Sequence, residues 1–301
     1  MPDCQNCGDY FSGDGGYDYC DDCEEYEEDY DNEGDDMPIR SGNPSLIMKG
    51  SNPLKFGFEL EVESGRSDRQ VTAQDLMEDM GGQPNDYLWV KSDPSINDGF
   101  EIASHPFDFA WWQANHESFA PIFRLPSKGV RSQQTRTCGL HIHMDRRGFK
   151  DTQHLYKFMK FIYDNPAFSK KMAGRKQSEM DQWGSLSKPQ DEPECRCNCP
   201  TCEGRRRVKD GLLSKAELQS SGPRYTAVNT QGRNTIEVRM FKGTLNKCHF
   251  YANLEYLHAT HQFTKGNRAI GNLNLKPFKE FAMKHNEDYP NLLTFMETKG
   301  L

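Results

Sequence analysis

Four short segments of the chain alternate apolar residues with acids or histidines. They are residues 56–63, 100–102, 140–145 and 235–241. Successive side chains of a β-strand point to opposite faces, so each segment has the pattern of a strand with one apolar and one polar face. If the four strands lie in one sheet, its polar face gathers Glu59, Glu61, Glu101, His141, His143, Glu237 and Arg239.

Helical patterns lie between and after these strands. Helices are predicted from Thr72 onwards, over residues 108–123, 151–172 and 247–264, and after Pro277 and Pro290. Thr72 and Asp75 resemble a capping box, and Asp151 or Thr152 would cap the longer helix. One more strand is predicted over residues 87–92. Strands interleaved with helices, and a sheet apolar on one face, predict an α+β fold with an antiparallel sheet backed by helices.

The length of 301 residues is sufficient for one large domain with a small appendage. No stretch approaches the roughly 20 apolar residues of a membrane span. The first residues lack the basic and apolar regions of a signal peptide. We therefore expect a cytoplasmic protein without a membrane partner.

The net charge of −8 is unevenly distributed along the chain. Residues 1–36 hold 15 of the 45 acids and none of the 37 Lys and Arg residues, which leaves 30 acids against 37 bases in residues 37–301. This basic body could attract the acidic segment or an anionic ligand such as a nucleotide. The acidic segment could equally be a solubilising arm.

Eight of the ten cysteines fall in two clusters, which favours metal binding over disulfides in a chain without a signal peptide. The first cluster predicts a zinc ribbon over residues 1–23, with the ligands Cys4, Cys7, Cys20 and Cys23. The alternative is a disordered tail with reduced thiols. Residues 24–45 follow as an acidic linker, and the catalytic body covers residues 46–301.

The second cluster lies in a polar insertion over residues 174–222. Its cysteines are Cys195, Cys197, Cys199 and Cys202. Four thiols within eight residues could form a second zinc site, but single-residue spacings strain tetrahedral geometry, so the pattern leaves both outcomes open. The two other cysteines, Cys138 and Cys248, are predicted to be buried small residues.

The polar face of the predicted sheet suits magnesium. Carboxylate oxygens prefer Mg²⁺ or Mn²⁺, and Mg²⁺ usually shares its ligand shell with substrate phosphates. Several carboxylates on one face repel one another unless bound cations offset their charge. A guanidinium such as Arg239, beside Glu237, suits a transferring phosphoryl group. For one strand alone, a half-solvated face would be the better interpretation, and one of the two histidines could orient a neighbour instead of binding metal.

Five ordered motifs resemble the amidoligase family, which is grouped with glutamine synthetase and glutamate–cysteine ligase as carboxylate–amine ligases. They are Phe56-Gly57-Phe58-Glu59-Leu60-Glu61, Ser92-Asp93-Pro94-Ser95 with Gly99-Phe100-Glu101-Ile102-Ala103-Ser104, Cys138-Gly139-Leu140-His141-Ile142-His143, Arg224-Tyr225-Thr226-Ala227-Val228-Asn229, and Thr235-Ile236-Glu237-Val238-Arg239-Met240-Phe241 continuing to Asn246. The resemblance extends from about Leu54 to Thr264, so the cysteine clusters and the acidic linker lie outside it. The family occurs in bacteria and their phages as well as elsewhere.

The resemblance implies a curved, half-barrel-like sheet of the glutamine synthetase type, with ATP entering one end and the acid and amine substrates the other. Two or three Mg²⁺ ions would be held by Glu59, Glu61, Glu101, one or both of His141 and His143, and Glu237. Arg239 would contact the γ-phosphate or the acyl phosphate, and Arg175 and Arg224 would contact phosphate or substrate. Asn229 would help to position them. Glu61, Glu237 and Arg239 are the expected catalytic residues.

The implied reaction is ATP-dependent formation of an amide or isopeptide bond through an acyl phosphate. Exclusion of water would protect this intermediate, and the insertion over residues 174–222 is the candidate lid. The substrates are open among amino acids, peptides, polyamines, cell-wall fragments and protein side chains.

Two other functions are compatible with the same residues. A metal-dependent hydrolase or nuclease would use the same carboxylates, although the ordered motifs favour a ligase. A non-catalytic protein would use the zinc ribbon to bind a partner. Because residues 1–36 are acidic, that partner would be a basic protein surface, and direct nucleic-acid binding is not expected.

Overall fold

The structure is a computed structural model, and it describes residues 38–65, 68–82, 85–193, 208–217, 223–266 and 269–301. Both predicted zinc sites lie outside the described residues, together with most of the acidic linker. Their cysteines are Cys4, Cys7, Cys20, Cys23, Cys195, Cys197, Cys199 and Cys202.

The predicted strands form one open antiparallel sheet. Its strands are β1 (Phe56–Glu63), β2 (Leu88–Lys91), β3 (Gly99–Ser104), β4 (Gly139–Asp145), β7 (Val228–Asn229) and β8 (Thr235–Lys242). The strand order is β2-β3-β1-β4-β8-β7, and β5 (Glu192–Pro193) and β6 (Val208–Lys209) pair separately. The predicted α+β class with an antiparallel sheet is confirmed, and β1 and β4 lie at its centre.

The strand register places the predicted polar residues side by side. Glu61 is paired with Glu101, Glu59 with His141, and His143 with Glu237. The opposite face consists of fully buried apolar side chains, among them Phe58, Leu60, Ile102, Ile142 and Val238. A slip of one residue would exchange the two faces, so the burial of these side chains fixes the register.

The described part of the chain contains nine α-helices. They are α1 (Arg69–Asp79), α2 (Phe109–Asn115), α3 (Thr152–Asp164), α4 (Pro166–Ala173), α5 (Gln177–Trp183), α6 (Gly211–Glu217), α7 (Lys247–Lys265), α8 (Leu275–Lys284) and α9 (Pro290–Thr298). Helix α7 packs on the sheet, where the Phe250 ring meets the Phe58 ring edge-on at 4.9 Å. A bilayer span needs a long apolar helix, and these described helices include none.

Helix boundaries differ from the prediction at three places. Helix α1 begins after Asp68, whose carboxylate accepts the N–H of Gln70 and Val71, so Thr72 lies inside the helix. The helix predicted over residues 108–123 changes at Asn115 into a 3₁₀ segment, because Pro121 and Pro126 cannot donate backbone hydrogen bonds. The helix predicted over residues 151–172 is capped by Asp151 but divides before Pro166.

A β-bulge interrupts the alternation of β8. Leu140 is paired with Phe241 and Ile142 with Val238, so two residues of β8 lie opposite His141. Strict alternation from Glu237 would turn Phe241 to the polar face, whereas the extra residue returns it to the core, where it is fully buried.

The two isolated cysteines have opposite environments. Cys138 is buried, as predicted. Cys248 is exposed, so the prediction of burial was wrong for it. It lies in the first turn of α7, on the side of the helix that faces solvent.

Candidate functional site

Carboxylates and imidazoles meet on the polar face at the centre of the sheet. His143 Nε2 lies 3.2 Å from Glu59 Oε2, and His141 Nδ1 lies 3.6 Å from Glu237 Oε1. The other ring nitrogen of His141 lies 3.8 Å from Glu61 Oε1. These side chains come from three adjacent strands, so they converge only because β1, β4 and β8 are neighbours.

The cluster divides into two groups that could each hold a metal ion. Glu59, His141 and Glu237 form one group, and Glu61, Asp93 and Glu101 form the other; within each, the ligand atoms lie within 4.8 Å of one another. Five of the six predicted metal ligands belong to these groups. The sixth, His143, belongs to neither and instead contacts Glu59. Oxygen-rich groups of this kind suit Mg²⁺.

Asp93 is a candidate ligand that the sequence interpretation missed. It follows β2 directly, and its carboxylate accepts the N–H of Ser95 at 2.7 Å, which forms a tight turn. Asp93 lies inside the Ser92–Ser95 motif of the family resemblance, and this position could have identified it as a candidate ligand. The turn brings Asp93 next to Glu61 and Glu101, which come from other strands.

Lys91 is the second missed residue. Its Nζ lies 2.9 Å from Glu59 Oε1 and 2.8 Å from Glu101 Oε1. Although burial opposes the charge, these two carboxylates raise the pKa of Lys91, so its ammonium group stays protonated. The sequence analysis predicted Lys91 only as part of a strand. The local sequence pattern does not show that β2 ends beside the glutamates.

The pKa values of the acidic residues reflect strong mutual interactions. Burial and the charge of Glu59 raise the pKa of Glu101 to about 8. Burial also opposes ionisation of Glu59, yet the neighbouring imidazoles of His141 and His143 and the ammonium of Lys91 hold the pKa of Glu59 well below its usual range. Burial would lower the pKa of His143, but Glu59 raises it. A divalent cation would offset this concentration of negative charge.

Three arginines stand beside the acidic cluster. Arg175 and Arg239 are buried, with exposed fractions of 4% and 6%, and Arg224 lies at the rim. Arg239 pairs with Glu237, and Arg175 Nε donates to the carbonyl oxygens of Met240 and Phe241 at the bulge. Arg175 Nη1 and Arg239 Nε have no hydrogen-bond partner among the described residues. Both atoms are enclosed by protein, but the two arginine side chains line the cavity described next, so their positive charge lies at its wall.

These residues line a cavity of about 520 Å³, here called the polar cleft. Its walls include Glu59, Glu61, Lys91, Asp93, Glu101, His141, His143, Arg175, Trp183, Arg224, Tyr225, Glu237 and Arg239. The rings of Trp183 and Tyr225 meet edge-on at 5.5 Å, and the guanidinium of Arg239 lies 5.6 Å from the Tyr225 ring. The cleft therefore combines metal-binding groups, cations and an aromatic surface.

One predicted residue, Asn229, has an indirect position. Asn229 does not line the cleft; its amide donates to Glu237 Oε2 at 3.0 Å and orients that carboxylate from β7. Glu63 lies at the end of β1, where it pairs with Arg131 at 3.2 Å.

The described part of the 174–222 insertion is packed against the body. It supplies Arg175 and Trp183 to the cleft and buries Met180 and Leu212. Part of the predicted linker also contacts the sheet. Arg40 exchanges backbone hydrogen bonds with Val90 and Ser92 beside β2.

Comparison of the chain with protein-family models found no match, and comparison with curated proteins found none. The resemblance to amidoligases therefore stays a prediction that is based on the motifs.

Proposed function

We propose that the protein is an ATP-dependent carboxylate–amine ligase that forms an amide or isopeptide bond through an acyl phosphate. The observation that supports this best is the convergence of two three-residue ligand groups and three arginines in one cleft. Phosphoryl transfer needs bound cations and fixed positive groups around the γ-phosphate, and little else from the protein. The half-barrel curvature and the glutamine synthetase likeness are part of the same proposal.

The two ligand groups are the positions that we propose for the metal ions. Glu59, His141 and Glu237 would hold one Mg²⁺, and Glu61, Asp93 and Glu101 would hold another. Bound there, Mg²⁺ would neutralise charge on the phosphates of ATP. Lys91 and His143 would keep the carboxylates of Glu59 and Glu101 oriented through the contacts they already make.

The arginines and the aromatic pair support a nucleotide position in the same cleft. The guanidinium groups of Arg175 and Arg239, which line the cleft, would bind the transferring phosphoryl group. Arg224 would contact the phosphates from the rim. A purine ring would stack on the exposed ring of Tyr225 beside Trp183, since aromatic surfaces stabilise bases by stacking.

The reaction balances in two steps. A carboxylate oxygen of the acid substrate attacks the γ-phosphorus, which forms a C–O–P link and releases ADP. The nitrogen of the amine then attacks the acyl carbon, a C–N bond forms, the C–O bond to phosphate breaks, and the nitrogen loses one proton. The buried walls of the cleft would keep water from hydrolysing the acyl phosphate.

Two conservative substitutions test the proposal. We expect Glu61→Gln and Glu237→Gln each to reduce Mg²⁺-dependent ADP formation by about a hundredfold or more, because each removes a charged ligand from one group. ADP release is measured with a small-molecule cell extract as the source of acid and amine, and mass spectrometry identifies a product one water lighter than its parts. The matched control is Glu280→Gln, at an exposed position of α8.

The outcomes separate the alternatives. Wild-type turnover in both variants would refute the site. Cleavage of a phosphate ester without ADP formation would instead favour the metal-dependent hydrolase.

A further inference from the structure

A second cavity opens on the same face of the sheet, on the side away from the arginines. It encloses about 440 Å³, and we call it the apolar chamber. Its walls include Leu46, Met48, Trp89, Ala103 and Pro106. Asn43, Glu59 and His143 line both cavities, so the chamber adjoins the candidate metal site at these residues.

One wall of the chamber is a strap formed by residues 41–48. The strap is anchored at one end by the hydrogen bond from Arg40 N to Val90 O (3.0 Å) and at the other by that from Lys49 N to Pro106 O (2.8 Å). Leu46 and Met48 are 52% and 53% exposed although both line the chamber. Two large apolar side chains held at the mouth of a cavity are a surface that a bound apolar group would cover.

The charged residues that line the chamber determine which ligand charge it favours. The ammonium of Lys55 already donates to the carbonyl oxygens of Lys49 and Gly50, and Arg147 is held by Asp145 at 2.6 Å. No other Lys or Arg is among the described residues that line the chamber. A carboxylate would therefore meet no uncommitted cation there. Glu59 and Asp145 are paired as well, with Lys91 and Arg147, so an amine group would meet carboxylate oxygens but no unpaired anion.

We propose that the apolar chamber binds the amine substrate, and that this amine has a bulky apolar side group and no free carboxylate. An amide of a hydrophobic amino acid, or the first residue of a peptide, has this chemistry. The inference rests on the proposed ligase function, because it places the attacking nitrogen beside Glu59 and His143, where the chamber meets the polar cleft.

Three small molecules test the chemistry of the chamber. L-Phenylalaninamide is a cation with an aromatic side group, L-alaninamide has the same charge without it, and N-acetyl-L-phenylalanine has the ring but is an anion. Each is titrated into the full chain by calorimetry, first alone and then with Mg²⁺ and a non-hydrolysable ATP analogue. We expect phenylalaninamide to bind about tenfold more tightly than either of the others. Only phenylalaninamide combines a large apolar group for the chamber walls with the absence of a carboxylate.

A matched pair of variants locates the binding. Met48→Ser is expected to weaken phenylalaninamide binding by about fivefold, because it removes part of the apolar wall. Met283→Ser is the control, since Met283 is also exposed (58%) but lies in α8 and lines neither cavity. Both positions are on the surface, so both variants are expected to fold.

The inference is overturned if alaninamide or N-acetylphenylalanine binds as tightly as phenylalaninamide, or if Met48→Ser binds it like the wild type. The proposed function is judged separately. If phenylalaninamide binds as expected but no acid supports ADP formation, the ligase is refuted and the amine site stands. If ADP forms with small polar amines only, the ligase stands and the inference falls.

Discussion

Among single residues, Lys91 has the largest influence on the charge balance of the polar cleft. Its ammonium group lies between Glu59 and Glu101, and both carboxylates are mostly buried. Without Lys91, Glu101 loses the only cation that contacts it among the described residues, and Glu59 keeps only its histidine neighbours. A divalent cation bound by the same carboxylates would supply the missing positive charge.

Lys91→Met should make the stability of the protein depend on magnesium. We expect the free energy of unfolding in EDTA to fall by about 3 kcal/mol, because Glu59 and Glu101 lose their partner. Saturating MgCl₂ should restore part of this loss, since an ion that binds only the folded state stabilises it. Urea unfolding with EDTA and with MgCl₂ measures both quantities. Lys284→Met, at an exposed position of α8, serves as the control. If MgCl₂ stabilises neither Lys91→Met nor the wild type, the metal assignment is contradicted.

Among the secondary-structure elements, β4 and β8 shape the arginine side of the cleft. The bulge in β8 presents the carbonyl oxygens of Met240 and Phe241 to Arg175 Nε, at 3.2 and 3.1 Å. On the neighbouring strand, Gly139 leaves the space that the Arg175 guanidinium occupies. A Cβ at position 139 would lie 2.6 Å from Arg175 Nη2 and 3.0 Å from His141 Nε2.

Gly139→Ala should therefore displace Arg175 and not unfold the sheet, because the colliding atom is the end of a flexible side chain. We expect ATP turnover to fall by roughly ten- to a hundredfold, as for other small displacements of positioning groups. Gly271→Ala is the control, because a Cβ at position 271 would meet nothing within 4 Å and the residue lines neither cavity. Nucleotide affinity and urea unfolding are measured for both, and equal affinities would show that Arg175 does not contact the nucleotide.

At the scale of the whole molecule, a buried carboxylate joins helices α7 and α9. Glu255 of α7 accepts the backbone N–H of Leu292 at 2.7 Å and the amide of Asn291 at 2.6 Å. Both donors belong to the first turn of α9, where a helix favours a negative group. Burial nevertheless raises the pKa of Glu255 to about 7 from an ordinary value of 4.5. The docking of the last helix is thus linked to proton binding.

This linkage predicts the direction of a pH effect. The folded state holds the Glu255 proton more tightly than the unfolded state, so this group makes the protein less stable as pH rises from 4.5 to about 7. The loss is about 3 kcal/mol for a shift of this size. Glu255→Gln has no proton to lose and should lack this component, whereas Glu280→Gln should retain it. Urea unfolding across this pH range measures the slope, and parallel slopes for wild type and Glu255→Gln would contradict the assignment.

Much of the sheet could be predicted from the sequence by itself. The alternation in residues 56–63 and 140–145 assigned Glu59, Glu61, His141 and His143 to one face, and the structure confirms the antiparallel sheet. This worked because side-chain alternation is a local property of a strand, and because an apolar face that must be buried leaves one register. The Asp151 cap and the first-turn position of Pro290 are local in the same sense.

Other features were decided only by the tertiary structure. Lys91 and Asp93 line the cleft because β2 ends beside strands that are distant in sequence. No local sequence pattern predicts that these strands lie next to one another. The bulge at Arg239 and Met240 shifts Phe241 into the core because pairing with β4 overrides alternation. The apolar chamber exists because the strap crosses the sheet between two anchors. Local periodicity determines which face a side chain takes, whereas strand order and long-range pairing determine which side chains meet.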